Sequence, residues 1–242
     1  MIYEEIKKYY SAYRGKKCVI GYSFSGREIF AMHIGELTGR QFISTYAIHG
    51  REWITARLAL KHIKIGVKRG GGWIIPLVNP DGAKICEEKD PLWKANGRGV
   101  DLNCNFDADW GSGRLNVKTR GGENCIGDYP FSETETVALR DFTLKIRPAY
   151  TFSFHTKGEE IYWEYGGFGD KRGADILSEA TGYTAKIIYG SAGGYKDWCI
   201  KKLKIPAYTI ECASDENTHP VDDLRKLKEC YFALKAFTEK YD

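Results

Sequence analysis

His49, Glu52, His155 and Glu211 are the residues of this chain whose types and spacing can do chemistry. In His49-Gly50-Arg51-Glu52-Trp53 an imidazole and a carboxylate stand three residues apart, close enough to point the same way from one turn of backbone. A second imidazole, His155, lies far downstream, at the end of an apolar run. Three such donors from separate parts of a chain form the ligand set of a catalytic rather than a structural zinc ion, which takes three protein ligands and keeps one position for water. Glu211 ends the run Ala207-Tyr208-Thr209-Ile210, where a carboxylate is costly unless it has a role or a partner. It supplies the base that a hydrolytic water needs. The chain therefore reads as a metal-dependent hydrolase with zinc as cofactor. His33 in a strand pattern, His62 on a helix and His219 before Pro220 have no comparable context and are set aside.

The elements that must position these residues alternate between strand and helix. Residues 1–15 read as a short amphipathic helix. Cys18–Ser23 and Ile29–Gly35 read as edge strands around Ser25-Gly26-Arg27. Gln41–Ile48 is a buried strand that runs into His49. Trp53, Ala56, Leu60, Ile63 and Val67 recur at helical spacing, so a helix follows over 53–67. Trp73–Val78 is another apolar strand, stopped by Asn79-Pro80-Asp81-Gly82. Residues 83–131 are rich in Gly and Asn with little periodicity, which suits a long functional loop. Ser132-Glu133-Thr134-Glu135 has the pattern of a capping box opening a helix to Ile146. Ala149–Phe154 is a central strand ending at His155, and helices are expected over about 171–182, 193–203 and 219–240. Such alternation predicts one α/β domain over residues 1–242, with a mixed, mostly parallel central sheet and helices on both faces. Ligands in such sheets gather at the carboxyl ends of the strands, where His49, His155 and Glu211 all fall.

Composition narrows the partners. At 242 residues, with 43% hydrophobic and 28% charged side chains, the chain can bury a sizeable core. The net charge of +4 is mild and Lys and Arg are scattered among acids, so no nucleic-acid footprint is expected. The charged start Met1–Lys8 is unlike a signal peptide, and no segment offers the roughly 18 uninterrupted apolar residues of a membrane span. Seven cysteines without a CxxC spacing point to free thiols and a cytoplasmic setting.

Several segments, in order, resemble the zinc metallocarboxypeptidases of the carboxypeptidase A family. These are His49–Trp53, Asn79–Gly82, Gly99-Val100-Asp101-Leu102-Asn103, Ser153-Phe154-His155, Tyr189 with Ser191–Gly194 and Asp197-Trp198, and Thr209-Ile210-Glu211. The resemblance implies that His49, Glu52 and His155 hold zinc and that Glu211 is the general base and acid. It aligns Lys94 with an arginine that polarises the scissile carbonyl, and Arg51 with a substrate-contacting arginine beside the ligands. It aligns Asn103 with a contact to the substrate's terminal carboxylate, and Tyr189 with a mobile tyrosine that closes over substrate. The family's digestive members carry an N-terminal pro-segment for which this chain has no room, so an enzyme made active is expected.

One position departs from that pattern. Where the digestive enzymes have an arginine that holds the terminal carboxylate, Cys104 follows Asn103, and a thiol cannot replace a bidentate guanidinium. The stretches Asn103–Trp110 and His155–Glu160 are similar to the bacterial γ-D-glutamyl-diaminopimelate peptidases, some of which lack this arginine. The expected substrate is accordingly a small muropeptide-like peptide; Arg120, Lys157 and Lys196 lie in segments expected at the site rim and are left unassigned, and Glu159 or Glu160 is a candidate to meet its distal amine. The competing readings are a broader carboxypeptidase acting on ordinary peptides, a non-catalytic peptide-binding relative, and an amidase or deacylase on the same fold. The oligomeric state is not legible.

Overall fold

A computed structural model of the protein describes residues 1–241. Helix α1 (Ile2–Ala12) buries Ile2 and Ile6 and leaves its charged residues outside. The hairpin β1 (Lys17–Tyr22) and β2 (Glu28–Gly35) follows, then the buried strand β3 (Gln41–Tyr46), helix α2 (Ile54–Ile65) and strand β4 (Gly71–Ile75). Helix α3 (Pro80–Glu88) precedes a long irregular stretch that ends at helix α4 (Thr134–Ile146). Strand β5 (Tyr150–Thr156) is buried throughout. Short strands β6 (Glu160–Tyr162), β7 (Glu164–Tyr165) and β8 (Phe168–Gly169) lead to helix α5 (Lys171–Thr181) and strand β9 (Thr184–Lys186). Helix α6 (Tyr195–Trp198), strand β10 (Ala207–Cys212) and helix α7 (Ala233–Lys240) complete the order.

Eight of the strands form one sheet in the order β1-β2-β4-β3-β5-β10-β6-β9. The pairs β4–β3, β3–β5, β5–β10 and β6–β9 are parallel; β1–β2, β2–β4 and β10–β6 are antiparallel. Side chains alternate across the sheet, which splits the core into two layers. Phe42, Phe152, Phe154, Tyr208 and Ile210 pack with α2, α5 and α7 on one face. Ile43, Trp73, Ile75 and Ala207 pack with α4 and α6 on the other. The mixed sheet with helices on both faces is the architecture expected from the sequence.

Several boundaries differ from the sequence expectation. Asn79-Pro80-Asp81-Gly82 stops a strand and also opens α3: Asn79 Oδ1 accepts from Gly82 N at 2.8 Å, and Pro80 sits in the first turn, where its missing N–H costs nothing. Of the two strands expected at the edge, β1 lies there, while β2 is paired on both sides. No capping box forms at Ser132. The helix is capped at Glu133, and the Glu135 carboxylate turns inward to accept from Phe24 N at 3.1 Å and Asn96 Nδ2 at 3.2 Å. Satisfying a buried asparagine in the long loop outweighs the local cap. The helix expected over 219–240 is shortened. Asp223 accepts from Arg225 N at 2.9 Å and starts a 3-10 turn over Leu224–Cys230, and α7 begins only at Ala233. Over 193–203, α6 widens into a π-type turn, Cys199–Leu203.

Candidate active site

Three adjacent parallel strands, β3, β5 and β10, carry the candidate residues at their carboxyl ends. His49 caps a 3-10 turn, Gly50–Glu52, just beyond β3. That turn brings Glu52 back so that its Oε1 lies 2.7 Å from His49 Nδ1. The turn needs Gly50, since a Cβ there would stand 2.5 Å from the carbonyl oxygen of Gly82. His155 and Glu211 are direct register partners on β5 and β10, so they share a face. The His49 and His155 rings lie edge to face, 4.9 Å between centroids. His155 Nδ1 is 3.0 Å from Glu52 Oε2.

These donors suit a metal ion. One ligand atom from each of His49, Glu52 and His155 lies within 4.8 Å of the others, and all three residues are buried. Glu52 Oε2 and both ring nitrogens of His155 are buried, yet none makes a hydrogen bond of acceptable geometry among the described residues. Buried polar atoms without partners are rare, and a shared cation is the simplest occupant that satisfies such a set. Two imidazoles and one carboxylate also match the donor chemistry of a catalytic zinc centre.

Asp101, which the sequence reading left without a role of its own, stands behind this cluster. It is fully buried; its Oδ1 lies 3.1 Å from His49 Nε2 and accepts from Asn103 N at 2.9 Å. Its Oδ2 lies 2.8 Å from Lys94 Nζ, which also donates to Asn124 Oδ1 at 3.0 Å. Burial works against charge throughout, and the opposite charges win. Burial opposes the His49 imidazolium, but Glu52 and Asp101 raise its pKa to about 9. Burial opposes ionised Asp101, but Lys94 and His49 hold it well below the usual carboxylate range. Glu52 is likewise pulled down, against burial, by His49 and His155. Lys94 is raised, against burial, by Asp101. Glu211 behaves differently: burial dominates, His155 offsets it only in part, and its pKa rises to about 7.

A cavity of about 380 Å³ opens over the cluster, lined by His49, Lys94, Asn103, Cys104, Tyr189 and Glu211 among others. The structure thus brings together most of the residues singled out from sequence. Arg51 is the exception: its guanidinium is held by Glu123 at 2.5 Å, and it is not on the cavity wall. Asn103 Oδ1 accepts from Tyr195 N at 3.1 Å, and Tyr189 is 80% exposed at the mouth. Gly193, at φ +81, lets its segment press on Cys104, whose carbonyl oxygen would lie 2.7 Å from a Cβ there. Of the expected rim cations only Lys196 lines the cavity, while Arg120 is paired with Asp128 and Lys157 with Asp215. Glu160 is taken by Lys186 and Tyr162, and Glu159 is exposed. Asp197 and Arg114, not chosen from sequence, stand on the wall. His219, set aside earlier, feels the charges of Glu52 and Arg51, and burial lowers its pKa.

Fold and ligand geometry define a class. The chain belongs to the zinc carboxypeptidase family, whose pattern matches residues 2–176, and it is a metallopeptidase of that family. It is similar to gamma-D-glutamyl-L-diamino acid endopeptidase 1 of Lysinibacillus sphaericus, at 27% identity over 92% of this chain and 67% of the relative. Its fold is that of bovine thrombin-activatable fibrinolysis inhibitor, solved with tick carboxypeptidase inhibitor (TM-score 0.85, 22% identity, 98% of this chain and 93% of that one). Murein-tripeptide amidase of Escherichia coli O157 shares the fold at TM-score 0.67 and 22% identity, over 94% of this chain and 91% of that one. Among the described residues, no helix is long and apolar enough to cross a membrane.

Proposed function

We propose that the protein hydrolyses the amide bond between γ-D-glutamate and a diaminopimelate-type residue in a cell-wall peptide. The observation that carries the reading is the joint placement of the His49–Glu52–His155 cluster, Glu211 and Cys104 on and under one cavity. The first two give amide hydrolysis, and Cys104 removes the guanidinium that would select an ordinary C-terminal carboxylate. The printed activity of the L. sphaericus relative supports the substrate class.

His49, Glu52 and His155 would hold the zinc ion. Bound there, zinc supplies Lewis-acid polarisation of a carbonyl and of water. Glu211, near the end of β10 and lining the cavity, takes a proton from the attacking water and passes it to the leaving nitrogen. Asp101 fixes the ring of His49 through Nε2. Lys94, on the cavity wall, would stabilise the tetrahedral oxyanion, a role for which the engagement of Arg51 by Glu123 favours it over Arg51. Asn103 and Tyr189 contact the substrate from opposite segments of the wall, and Arg114 is available to its α-carboxylate.

The test is hydrolysis of L-Ala-γ-D-Glu-meso-diaminopimelate by the zinc-loaded protein, with and without chelator, beside a conventional C-terminal peptide. Chelator-sensitive cleavage of the γ-D-glutamyl bond alone is expected. Cleavage of the conventional peptide alone would discard the cell-wall substrate and keep the hydrolytic site.

A further inference from the structure

Three consecutive residues of the long loop, Glu123, Asn124 and Cys125, each hold a charged residue near the metal cluster. Glu123 takes Arg51 at 2.5 Å. Asn124 Oδ1 accepts from Lys94 Nζ at 3.0 Å. The carbonyl oxygen of Cys125 accepts from Asp101 N at 2.9 Å. The segment is itself pinned: Val117 N donates to Asn124 O at 3.1 Å, Ile126 N donates to Val117 O at 3.0 Å, and Cys125 is buried. Asn124 stands at φ +61, in the left-handed region that asparagine tolerates better than most residues. Backbone contacts therefore fix where Asn124 sits, and its side chain is spent on Lys94.

The two contacts of the Lys94 ammonium differ in kind. It lies 2.8 Å from Asp101 Oδ2, yet that oxygen makes no hydrogen bond of acceptable geometry among the described residues. The well-directed hydrogen bond goes to Asn124 instead. Coulomb attraction sets a distance but not a direction. A lysine is a point charge on a flexible four-carbon stem, without the planar fork that lets arginine align itself on a carboxylate. Held by Asp101 alone, the ammonium would swing into line with that carboxylate and its charge would be spent there. Asn124 draws it off that axis, and both Lys94 and Asn124 line the cavity.

We infer that Asn124 is a positioning residue for hydrolysis: its side chain holds the Lys94 ammonium at the cavity wall, off the Asp101 carboxylate, where it meets the tetrahedral oxyanion. The inference rests on the hydrolytic reading of the site, in which Lys94 stabilises that oxyanion, and not on which peptide is cleaved. A donor fixed before the reaction costs no reorganisation when charge develops, so the effect falls on kcat rather than on KM.

The experiment is a double-mutant cycle of N124G and K94M on the zinc-loaded enzyme, with whichever of the γ-D-glutamyl and conventional peptides the wild type cleaves. Glycine removes the amide and adopts the left-handed backbone without strain. N124G should lower kcat about 10–100-fold, less than the roughly 10²–10³ lost with an oxyanion donor itself. Its KM should stay within about twofold, and its zinc affinity and Tm should match the wild type. In the K94M background the same change should lower kcat no more than about twofold further, because Asn124 acts through Lys94. A wild-type kcat in N124G would overturn the inference and leave the hydrolytic reading standing. An equal further loss in K94M, or a loss of zinc or of the folded state in N124G, would assign Asn124 to the scaffold and overturn it as well. Cleavage of neither peptide by the wild type would overturn both it and the reading on which it rests.

Discussion

Replacing Asp101 with asparagine keeps the shape of the side chain and its acceptor for His49, and removes only the charge. That charge faces two cations, His49 Nε2 at 3.1 Å and Lys94 Nζ at 2.8 Å. Removing one partner of a buried pair costs about 3–5 kcal/mol, because the other charge stays buried and uncompensated. The Lys94 side chain is 15% exposed through the cavity, so the lower end applies, about 3 kcal/mol. For a chain of this size that is a fall in Tm of about 6–12 °C. Thermal unfolding of metal-free D101N reads this directly, and D101N/K94M should recover most of the loss. On the proposed reading His49 holds zinc and Asp101 orients its ring, so zinc affinity, read by competition with a chromophoric chelator, should weaken about 10–100-fold. A D101N protein that melts with the wild type and holds zinc as tightly would refute the electrostatic account of this cluster.

Glu211→Gln should lower kcat by about 10²–10⁴ and leave bound zinc intact; full turnover would remove Glu211 from the proton path. Cys104→Arg should raise kcat/KM on ordinary C-terminal peptides about tenfold or more, as expected for a charge-assisted hydrogen bond. Unchanged rates would mean that the carboxylate sits elsewhere. Fully buried His62, between Tyr46 and the carbonyl of Cys230, has its pKa lowered to about 4 by burial. The unfolded chain takes a proton near pH 6.5 and the folded one near 4, so the contribution of His62 is complete above 6.5 and lost as pH falls toward 4, about 3 kcal/mol in all. Urea unfolding at pH 7 and 4.5 should show a shallower acid loss in H62Q than in the wild type.

What was legible in the sequence was whatever local pattern and strand ends encode. The apolar runs of β5 and β10, each leading to a polar residue, mark His155 and Glu211 as strand-end residues, while the register that sets them side by side on one face comes from the strand pairing. The 3.6-residue period of α2 was equally plain. Partners set by tertiary pairing were not. Asp101 sits in a segment quoted for its neighbour Asn103, and nothing local announces that its carboxylate reaches His49, 52 residues away in sequence. Arg51 has the right neighbours in sequence, but Glu123, in the long loop, takes its guanidinium. The Glu135 carboxylate shows the same override, drawn from a cap to a buried asparagine. The strands β6 to β9 are two or three residues long, too short for alternation to register.

The segment after Tyr189 is stitched down on both sides. Gly190 O accepts from Arg114 N at 2.8 Å, Gly193 O from Phe106 N at 2.9 Å, and Gly193 N donates to Ala108 O at 2.8 Å. Tyr189 itself projects outward from this anchored edge. At the cavity mouth Tyr189 is therefore a rotor on a fixed post rather than part of a swinging flap. Exposed side chains turn in picoseconds to nanoseconds, whereas flaps open in microseconds to milliseconds. On the proposed reading, in which Tyr189 covers the substrate, turning of this side chain would be faster than turnover, and it would set which substrates are held rather than how often the site is used.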